Sequence, residues 1–254
     1  MASLTIRQLD KSYPLAKGAR NLVLNKIDLT LHSNEFVSIV GASGCGKSTL
    51  LSIAAGLEEF DSGEVLVDDQ PIQGPGIDRG VVFQSYTLLP WLTARQNIEF
   101  ALKSAGYAHT ERAEIAQQHL ELVKLAHAAD KWPAELSGGM QQRVAIARAL
   151  SYRPKILLMD EPFGALDAMT RRQMQQLLLE IWETHRLTVM FVTHDIEEAI
   201  YLSDRVVVMK PAEIDQCIDI PIERPRDFSV THHPDFLNIQ SQIFERISQP
   251  LEHA

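Results

Sequence analysis

Long apolar stretches are missing from this sequence of 254 residues. No run approaches the roughly 20 residues that a membrane-spanning helix requires. The N-terminal segment MASLTIRQLDKSY (1–13) also lacks the apolar core of a signal peptide. We therefore expect a chain that works in the cytosol and does not itself cross a membrane.

Cysteine and positive charge are scarce as well. The two cysteines, Cys45 and Cys217, lie far apart and form no metal-ligand pattern, which predicts free thiols in a reducing compartment. Lys and Arg number 24 against 33 Asp and Glu, which gives a formal net charge of −9. A dedicated nucleic-acid binder usually presents a basic surface, so this balance argues against nucleic acid as a partner.

Hydrophobic residues make up 45% of the sequence, which is enough for a substantial core. Near the N-terminus apolar side chains alternate, as at Ile27, Leu29 and Leu31, and this predicts an antiparallel sheet. Later apolar runs are nearly continuous and are separated by helical stretches, which is typical of a parallel sheet covered on both faces. These runs are EFVSIV (35–40), KILLMD (155–160), TVMFVTHD (188–195) and RVVVMK (205–210).

A helical region interrupts this pattern. Between Thr93 and Lys131 the strand signals stop, and the apolar residues of TERAEIAQQHLELVKLA (110–126) have helical spacing. We predict one α/β domain over residues 1–230, with a helical lobe at about 88–152 inserted in its core, and a short C-terminal tail over 231–254.

The stretch GASGCGKS (41–48) matches the phosphate-binding pattern G-x-x-x-x-G-K-[ST], between an apolar strand and the helix-like STLLSIAAGL. Its glycines allow backbone N–H groups to surround phosphates, Lys47 supplies positive charge to the β- and γ-phosphates, and the Ser48 hydroxyl binds Mg²⁺. We therefore predict a P-loop NTPase with a RecA-like parallel-sheet core. The loop residues assigned to the nucleotide are Gly41, Ser43, Gly44, Cys45, Gly46, Lys47, Ser48 and Thr49.

Polar residues follow three of the predicted parallel strands. ILLMDEP places Asp160 and Glu161 at the C-terminal end of a strand, where ligands bind in open α/β sheets. We assign Asp160 to Mg²⁺ and Glu161 to positioning or deprotonating the attacking water. Gln84 is assigned to Mg²⁺ and the water, and His194 to the γ-phosphate as a donor. An acid pair at a strand end is by itself a common solvated turn, but the nearby phosphate loop with Lys47 favours catalytic roles.

The stretch ELSGGMQQRVAIARAL (135–150) indicates a second helix start that faces an anion. Ser137, Gly138 and Gly139 precede a run whose apolar residues suit one face of a helix. Backbone N–H groups at such a start can point at an anion. One chain thus carries two phosphate-facing segments, although one nucleotide site requires only one.

Together these motifs resemble the ATP-binding subunits of ABC transporters, from Tyr13 to about Arg226, and LSGGMQQRVAIARAL is the most specific element. The resemblance implies a head-to-tail homodimer, in which the P-loop of one chain and the signature loop of the other enclose each ATP. It assigns Ser137 and Gly139 to the nucleotide of the partner chain, and Asp167 in GALD to the D-loop that spans the dimer. It also assigns Tyr13 to stacking on adenine; the alternative is a tyrosine that merely ends an edge strand.

The resemblance further implies a bacterial importer at the cytoplasmic face of the inner membrane. Two separate integral-membrane permease subunits would form the pore, and a periplasmic binding protein would deliver the solute. The loop QSYTLLPWLTARQNI (84–98) contains an apolar cluster suited to a permease helix. The alternative is that this cluster belongs to the core of the helical lobe. Its members are Tyr86, Leu88, Leu89 and Trp91.

A finer resemblance concerns the solute. Four stretches of the sequence are similar to those of cassettes for taurine, other aliphatic sulfonates, nitrate and bicarbonate. These stretches are GPGIDRGVVFQ (74–84), LLPW (88–91), DEPFGALDAMTR (160–171) and THDIEEAIYLSDRVVVM (193–209). We assign uptake of taurine or a related sulfonate first, with nitrate or bicarbonate as the alternative.

Two other functions are disfavoured. An ABC ATPase of DNA repair would need a long coiled-coil insertion, and a translation-associated one would need two cassettes in one chain. A nucleotide switch without turnover would be favoured by the loss of Glu161 or His194, and both are present.

Overall fold

The computed structural model describes residues 2–15 and 19–248, in two compact units. The first unit comprises residues 1–75 and 187–254, and the second comprises residues 76–186. The strands are β1 (Leu4–Pro14), β2 (Arg20–Leu31), β3 (Phe36–Gly41), β4 (Ser62–Val67), β5 (Gln70–Pro71), β6 (Arg79–Val82), β7 (Ile156–Asp160), β8 (Thr188–Val192), β9 (Arg205–Lys210) and β10 (Glu213–Asp219). The α-helices are α1 (Lys47–Ala54), α2 (Ala94–Ser104), α3 (His109–Leu122), α4 (Gly138–Ser151), α5 (Ala168–His185), α6 (Ile196–Leu202) and α7 (Pro234–Ser248).

An antiparallel sheet opens the first unit, with the strand order β2-β1-β4-β5. β1 pairs with β2 on one side and with β4 on the other. The alternating apolar residues Ile27, Leu29 and Leu31 of β2 are all buried. The antiparallel sheet predicted at the N-terminus is therefore confirmed.

The first unit also contains the strand order β10-β9-β3-β8. β3 pairs in parallel with both β8 and β9, whereas β10 returns antiparallel to β9. Every residue of β3 and β8 is buried, as expected of parallel strands that are covered on both faces. β3 leads into the phosphate loop, and β8 leads into the turn that carries His194.

The second unit contains the parallel pair β6 and β7 together with α2, α3, α4 and α5. Helix α2 begins with a capping box, since Thr93 Oγ1 accepts from the Gln96 N–H and the Gln96 side chain accepts from the Thr93 N–H. The predicted helical segment 110–126 forms α3 and reaches a 3₁₀ turn at Ala126–Ala128.

Most of the segment predicted as a tail is α7, while residues 249–254 lie outside the described residues. The helix begins at Pro234, because the first turn of a helix accepts a proline. Its buried face, formed by Phe236, Ile239 and Ile243, packs against α6 and β9. Within residues 2–15 and 19–248, the helices are all too short or too polar to span a bilayer.

Candidate active site

The predicted phosphate loop connects β3 to α1 in the first unit. Lys47 begins α1 and is only 6% exposed. Its ammonium donates hydrogen bonds to the carbonyl oxygens of Gly41 (2.8 Å) and Ala42 (2.9 Å). The loop therefore curls around its own lysine, while residues 42–44 at its tip are exposed.

Two glycines fix the base of this loop. A Cβ atom added at Gly41 would collide with the carbonyl oxygen of Met209 in β9. A Cβ at Gly46, where φ is 112°, would lie 2.7 Å from the carbonyl oxygen of Val23 in β2. Because both obstacles are backbone atoms, neither position accepts a side chain without moving a strand. By contrast, a Cβ at Gly44 would meet nothing within 4 Å, so the space beside the tip is open.

This loop fits a phosphate group. Helix α1 starts at Gly46 without a side-chain cap, and no acidic residue stands in its first turn. A helix N-terminus with such a start attracts anions, and here the ammonium of Lys47 adds a full positive charge. Ser48 is exposed and Thr49 is half-buried at the beginning of the same helix.

His194 lies exposed in the turn between β8 and α6 of the first unit. Both of its neighbours are fixed to α6. The buried Thr193 hydroxyl donates to the Glu198 carboxylate (2.6 Å), and the Asp195 carboxylate caps α6 by accepting from the Glu198 N–H (3.1 Å). The backbone is thus held on each side of His194 while its imidazole faces solvent.

Tyr13 is half-buried near the end of β1. The ammonium of Lys11 lies 4.7 Å from its ring centroid and 2.6 Å from the Glu58 carboxylate. The hydrogen bond to Glu58 raises the pKa of Lys11, so the cation beside the ring remains charged. β1 lies between β2 and β4, but its pairing with β4 ends at Asp10, while Tyr13 pairs with Asn21 of β2.

The second unit brings Gln84 and Glu161 to the same glycine. These residues follow the adjacent parallel strands β6 and β7. A Cβ at Gly164 would lie 3.3 Å from Gln84 Nε2 and 3.7 Å from Glu161 Oε2. Glu161 has a φ of 42°, which is uncommon for a residue with a side chain and is concentrated at functional sites. Asp160, the last residue of β7, is half-buried.

Ser137 caps α4 at the start of the signature stretch. Its hydroxyl accepts a hydrogen bond from the Met140 N–H (3.3 Å), and its side chain is exposed. A Cβ at Gly138 would lie 2.7 Å from the hydroxyl of Tyr86, and a Cβ at Gly139 would collide with Thr170 of α5. The two glycines therefore allow other parts of the second unit to approach the first turn of α4.

Asp167 is exposed and caps α5. Its carboxylate accepts from the Met169 N–H (3.1 Å), the Thr170 N–H (3.0 Å) and the Thr170 hydroxyl (2.7 Å). These hydrogen bonds, chiefly those from Thr170, lower the pKa of Asp167, so its carboxyl stays ionised. Asp167 therefore orders the first turn of α5.

Sequence reasoning did not identify Arg148 of α4, which fixes the loop after Gln84. Its guanidinium donates to the carbonyl oxygen of Thr87 (2.7 Å), the hydroxyl of Thr87 (2.8 Å) and the carbonyl oxygen of Tyr86 (3.3 Å). Burial lowers the pKa of Arg148 but leaves it charged at neutral pH. A sequence signal for it is an arginine one helical turn after the apolar residues Val144 and Ala145.

The model of the family described as "ABC transporter" matches residues 24–164, more than half of the 254 residues. The chain belongs to the ABC transporter family. It is an ATP-binding, ABC-type ATPase, as the P-loop and signature stretch predicted.

Curated relatives are similar over most of the chain. A Brucella abortus protein named as an ATP-binding protein is 51% identical over 228 residues, covering 89% of this chain and 88% of its own length. The nitrate import ATP-binding protein NrtD of Synechococcus elongatus is 46% identical, covering 96% and 90%. The bicarbonate transport ATP-binding protein CmpC of the same species is 48% identical over 97% of this chain, which spans 38% of CmpC.

Solved structures with the same fold include the dimeric structure of MJ0796, a bacterial ABC transporter cassette. It has a TM-score of 0.77 and 35% identity, covering 87% of this chain and 100% of its own. The same cassette is also known as a dimer in a post-hydrolysis state bound to ADP and Pi. CbiO1 from Clostridium perfringens, part of the complex cbiONQ, has a TM-score of 0.78 and 27% identity, covering 96% of each chain. These similarities confirm the predicted α/β fold of a P-loop NTPase.

Proposed function

We propose that this chain is the ATP-hydrolysing subunit of a bacterial importer for a small inorganic oxyanion, either nitrate or bicarbonate. The observation that carries the proposal is the 46% identity to a nitrate import ATP-binding protein over 249 residues. The similarity to a bicarbonate transport protein supports the same class of solute, because both ions are planar oxyanions with one negative charge. These two relatives favour the alternative prediction of nitrate or bicarbonate over taurine, and uptake of taurine remains a prediction.

In the proposed reaction, Lys47 and the N–H groups of the P-loop bind the phosphates of ATP. Ser48 and Asp160 would hold Mg²⁺ with help from Gln84, and the bound ion would offset charge on the β- and γ-phosphates. Among the described residues, no group of three or more His, Cys, Asp and Glu could hold a metal alone. Mg²⁺ does not require such a group, since one or two carboxylates and the substrate phosphates usually suffice.

The proposed chemistry is attack of water on the γ-phosphorus. Glu161 accepts a proton from the water, the bond to the bridging oxygen breaks, and ADP leaves together with phosphate. Gln84, which borders the same glycine as Glu161, orients the water through its side-chain amide. His194 donates a hydrogen bond to the γ-phosphate, and Tyr13 stacks on adenine with the ring face opposite Lys11.

The active unit in this proposal is a head-to-tail homodimer with two composite sites. Ser137 and Gly139 contact the ATP bound by the partner chain, and Asp167 contributes to the D-loop contact between the chains. The dimeric form of the similar cassette MJ0796 supports this arrangement. Two permease subunits and a periplasmic binding protein complete the importer, and the cassette is held at the cytoplasmic face of the membrane.

The permease would bind at the loop that follows Gln84. Trp91 of this loop is 66% exposed, while Tyr86, Leu88 and Leu89 are half-buried. An exposed tryptophan does not suit the alternative of a core position, and apolar side chains of this kind bind a partner helix. Arg148 ties the loop to α4, so a force applied to the loop by a permease would reach the helix that Ser137 caps.

Trp91→Ala is expected to weaken binding of the permease by about 2 kcal/mol, or roughly thirtyfold in affinity, because buried aromatic anchors dominate interfaces. ATP hydrolysis by the isolated cassette should be unchanged. Copurification with the tagged permease measures the first quantity and phosphate release the second. Phe244→Ala is the matched control, since Phe244 is 62% exposed on α7. Equal retention of the permease by both variants would contradict docking at Trp91.

Deleting the gene from its host is expected to prevent growth on low nitrate as the nitrogen source, or growth at low inorganic carbon. Ammonium or high CO₂ should restore growth, because the cassette powers uptake but takes no part in later metabolism of the solute. The wild-type gene should complement the deletion, and a Glu161→Gln gene should not. A deletion strain that fails only on taurine or another sulfonate as sulfur source would overturn the oxyanion assignment and leave the importer assignment standing.

A further inference from the structure

A buried arginine closes the C-terminal end of α6. Arg226, which is 7% exposed, donates hydrogen bonds to the carbonyl oxygens of Ile200 (2.9 Å), Tyr201 (3.2 Å) and Ser203 (2.7 Å). The last carbonyl groups of a helix have no partner within the helix, and a cation near them also interacts favourably with the helix dipole. Arg226 therefore supplies both hydrogen-bond donors and a positive charge to the carbonyl groups at the end of α6.

The same guanidinium fixes the segment from which it comes. It donates to the carbonyl oxygen of Ile222 (2.7 Å) and lies 3.4 Å from that of Ile220. Arg224 adds a second connection, since it donates to the carbonyl oxygen of Leu202 (2.6 Å) and pairs with Asp204 (2.9 Å). Burial lowers the pKa of Arg226 to about 10, so the guanidinium stays protonated at neutral pH.

Tyr201, inside α6, is held by the same segment. Its hydroxyl donates to the carbonyl oxygen of Arg226 (3.2 Å). Its ring stacks on Phe228, with centroids 4.5 Å apart and planes 8° from parallel. Residues 220–228 thus contact α6 through its side chains as well as through its terminal carbonyl groups.

Helix α6 is short enough to depend on these contacts. It has seven residues, and so short a helix is not stable without tertiary interactions. Its first turn is bonded to the turn that carries His194, through Thr193 to Glu198 and through Asp195 to the Glu198 N–H. Movement of the far end of α6 would therefore move the residues on both sides of His194.

We propose that Arg226 is a positioning residue for ATP hydrolysis, which holds the end of α6 and thereby fixes the turn that presents His194. This inference rests on the proposed function, because the role of His194 in turnover belongs to it. Arg226 lies outside residues 24–164, which are the part of the chain that the family model matches.

The first test compares three variants of the full chain. Arg226→Met removes the charge and the hydrogen-bond donors but keeps a long unbranched side chain, whereas Arg226→Lys keeps the charge. Arg205→Met is the control, because the Arg205 guanidinium also donates hydrogen bonds within the first unit, to the carbonyl oxygen of Thr30 and to the Glu35 carboxylate. Arg226→Met is expected to lower kcat by about tenfold with an unchanged KM for ATP, because it misplaces His194 by less than the 1 Å that can cost about 10²-fold. Arg226→Lys should recover part of kcat.

Rates are measured per ATP-binding site, at a temperature where circular dichroism shows each variant folded. Arg205→Met should lower the Tm without lowering kcat. If the fall in kcat relative to the fall in Tm is the same for Arg226→Met and Arg205→Met, Arg226 has only a structural role and the inference is wrong.

The second test adds His194→Ala. If Arg226 acts through His194, Arg226→Met should cause no further loss of kcat in the His194→Ala background, because two residues that act as one unit are not additive. Additive losses would overturn the inference and leave the role of His194 intact. Near-normal kcat for His194→Ala alone would overturn the proposed role of His194, and the inference with it. Should Arg226→Met not fold, Tyr201→Phe, which removes one contact with this segment, must show a smaller loss with the same dependence on His194.

Discussion

Replacing Glu161 with Gln is expected to leave ATP binding intact and to lower turnover by about 10² to 10⁴-fold, the contribution typical of a general base. The amide keeps the size of the side chain but cannot accept the proton of the attacking water. Glutamine also suits the backbone, since Glu161 already has a φ of 42° and neither residue is β-branched. The loss should therefore fall on the chemical step and not on folding.

Sizing chromatography with ATP and Mg²⁺ provides the second measurement for this variant. If ATP holds two cassettes together until it is hydrolysed, Glu161→Gln should elute as a dimer under conditions in which the wild type elutes mainly as a monomer. Glu114→Gln, at an exposed position of α3, is the matched control and should behave as the wild type. Hydrolysis by Glu161→Gln close to the wild-type rate would remove Glu161 from its proposed role.

Ser137→Arg is expected to abolish turnover while ATP binding to the monomer is retained, and Lys47→Ala is expected to weaken ATP binding itself. The difference follows from the proposed dimer, because Lys47 binds the ATP of its own chain and Ser137 contacts that of the partner. A mixture of the two variants should regain about a quarter of wild-type turnover, since half of the dimers are mixed and each holds one complete site in a two-fold assembly. Phosphate release and titration with a fluorescent ATP analogue measure the two quantities.

In this experiment, the effect of losing the α4 cap must be separated from the effect of losing the contact between Ser137 and the ATP of the partner chain. The Ser137 hydroxyl accepts from the Met140 N–H, and loss of such a cap costs about 1 kcal/mol. Ser137→Asp keeps a capping oxygen but adds a negative charge that repels phosphate, so it should also lose turnover while its Tm stays near that of the wild type. If a mixture of folded Ser137→Asp and Lys47→Ala proteins recovers no activity, head-to-tail pairing is contradicted.

The buried parallel strands could be predicted from the sequence with small errors at their ends. EFVSIV (35–40) became Phe36–Gly41 and TVMFVTHD (188–195) became Thr188–Val192. The second strand ends early because Thr193 and Asp195 use their side chains to bond α6. β4 (Ser62–Val67) was missed, since only its last three residues are apolar and buried.

The C-terminal segment shows why composition alone was insufficient. Its prolines predict an irregular tail with a short final helix, whereas α7 occupies most of this segment, Pro234–Ser248, and buries an apolar face. The spacing of Phe236, Ile239 and Ile243 is helical, and proline at the first position does not oppose it. The hydrophobic period was therefore the better guide at this end of the chain.

The sequence by itself determined the parts of this protein whose chemistry is local. A glycine-rich loop with Lys47, a capped helix start at Ser137 and acids directly after an apolar strand are each defined within a few consecutive residues, where backbone geometry and side chain act together. The sequence also assigned Gln84 and Glu161 to one water, and in the structure both side chains border Gly164. Only the tertiary structure decided which other distant residues meet: Arg148 against Thr87, and Arg226 at the end of α6. These contacts join segments far apart in the chain, and no local pattern records them because they form only when strands and helices pack.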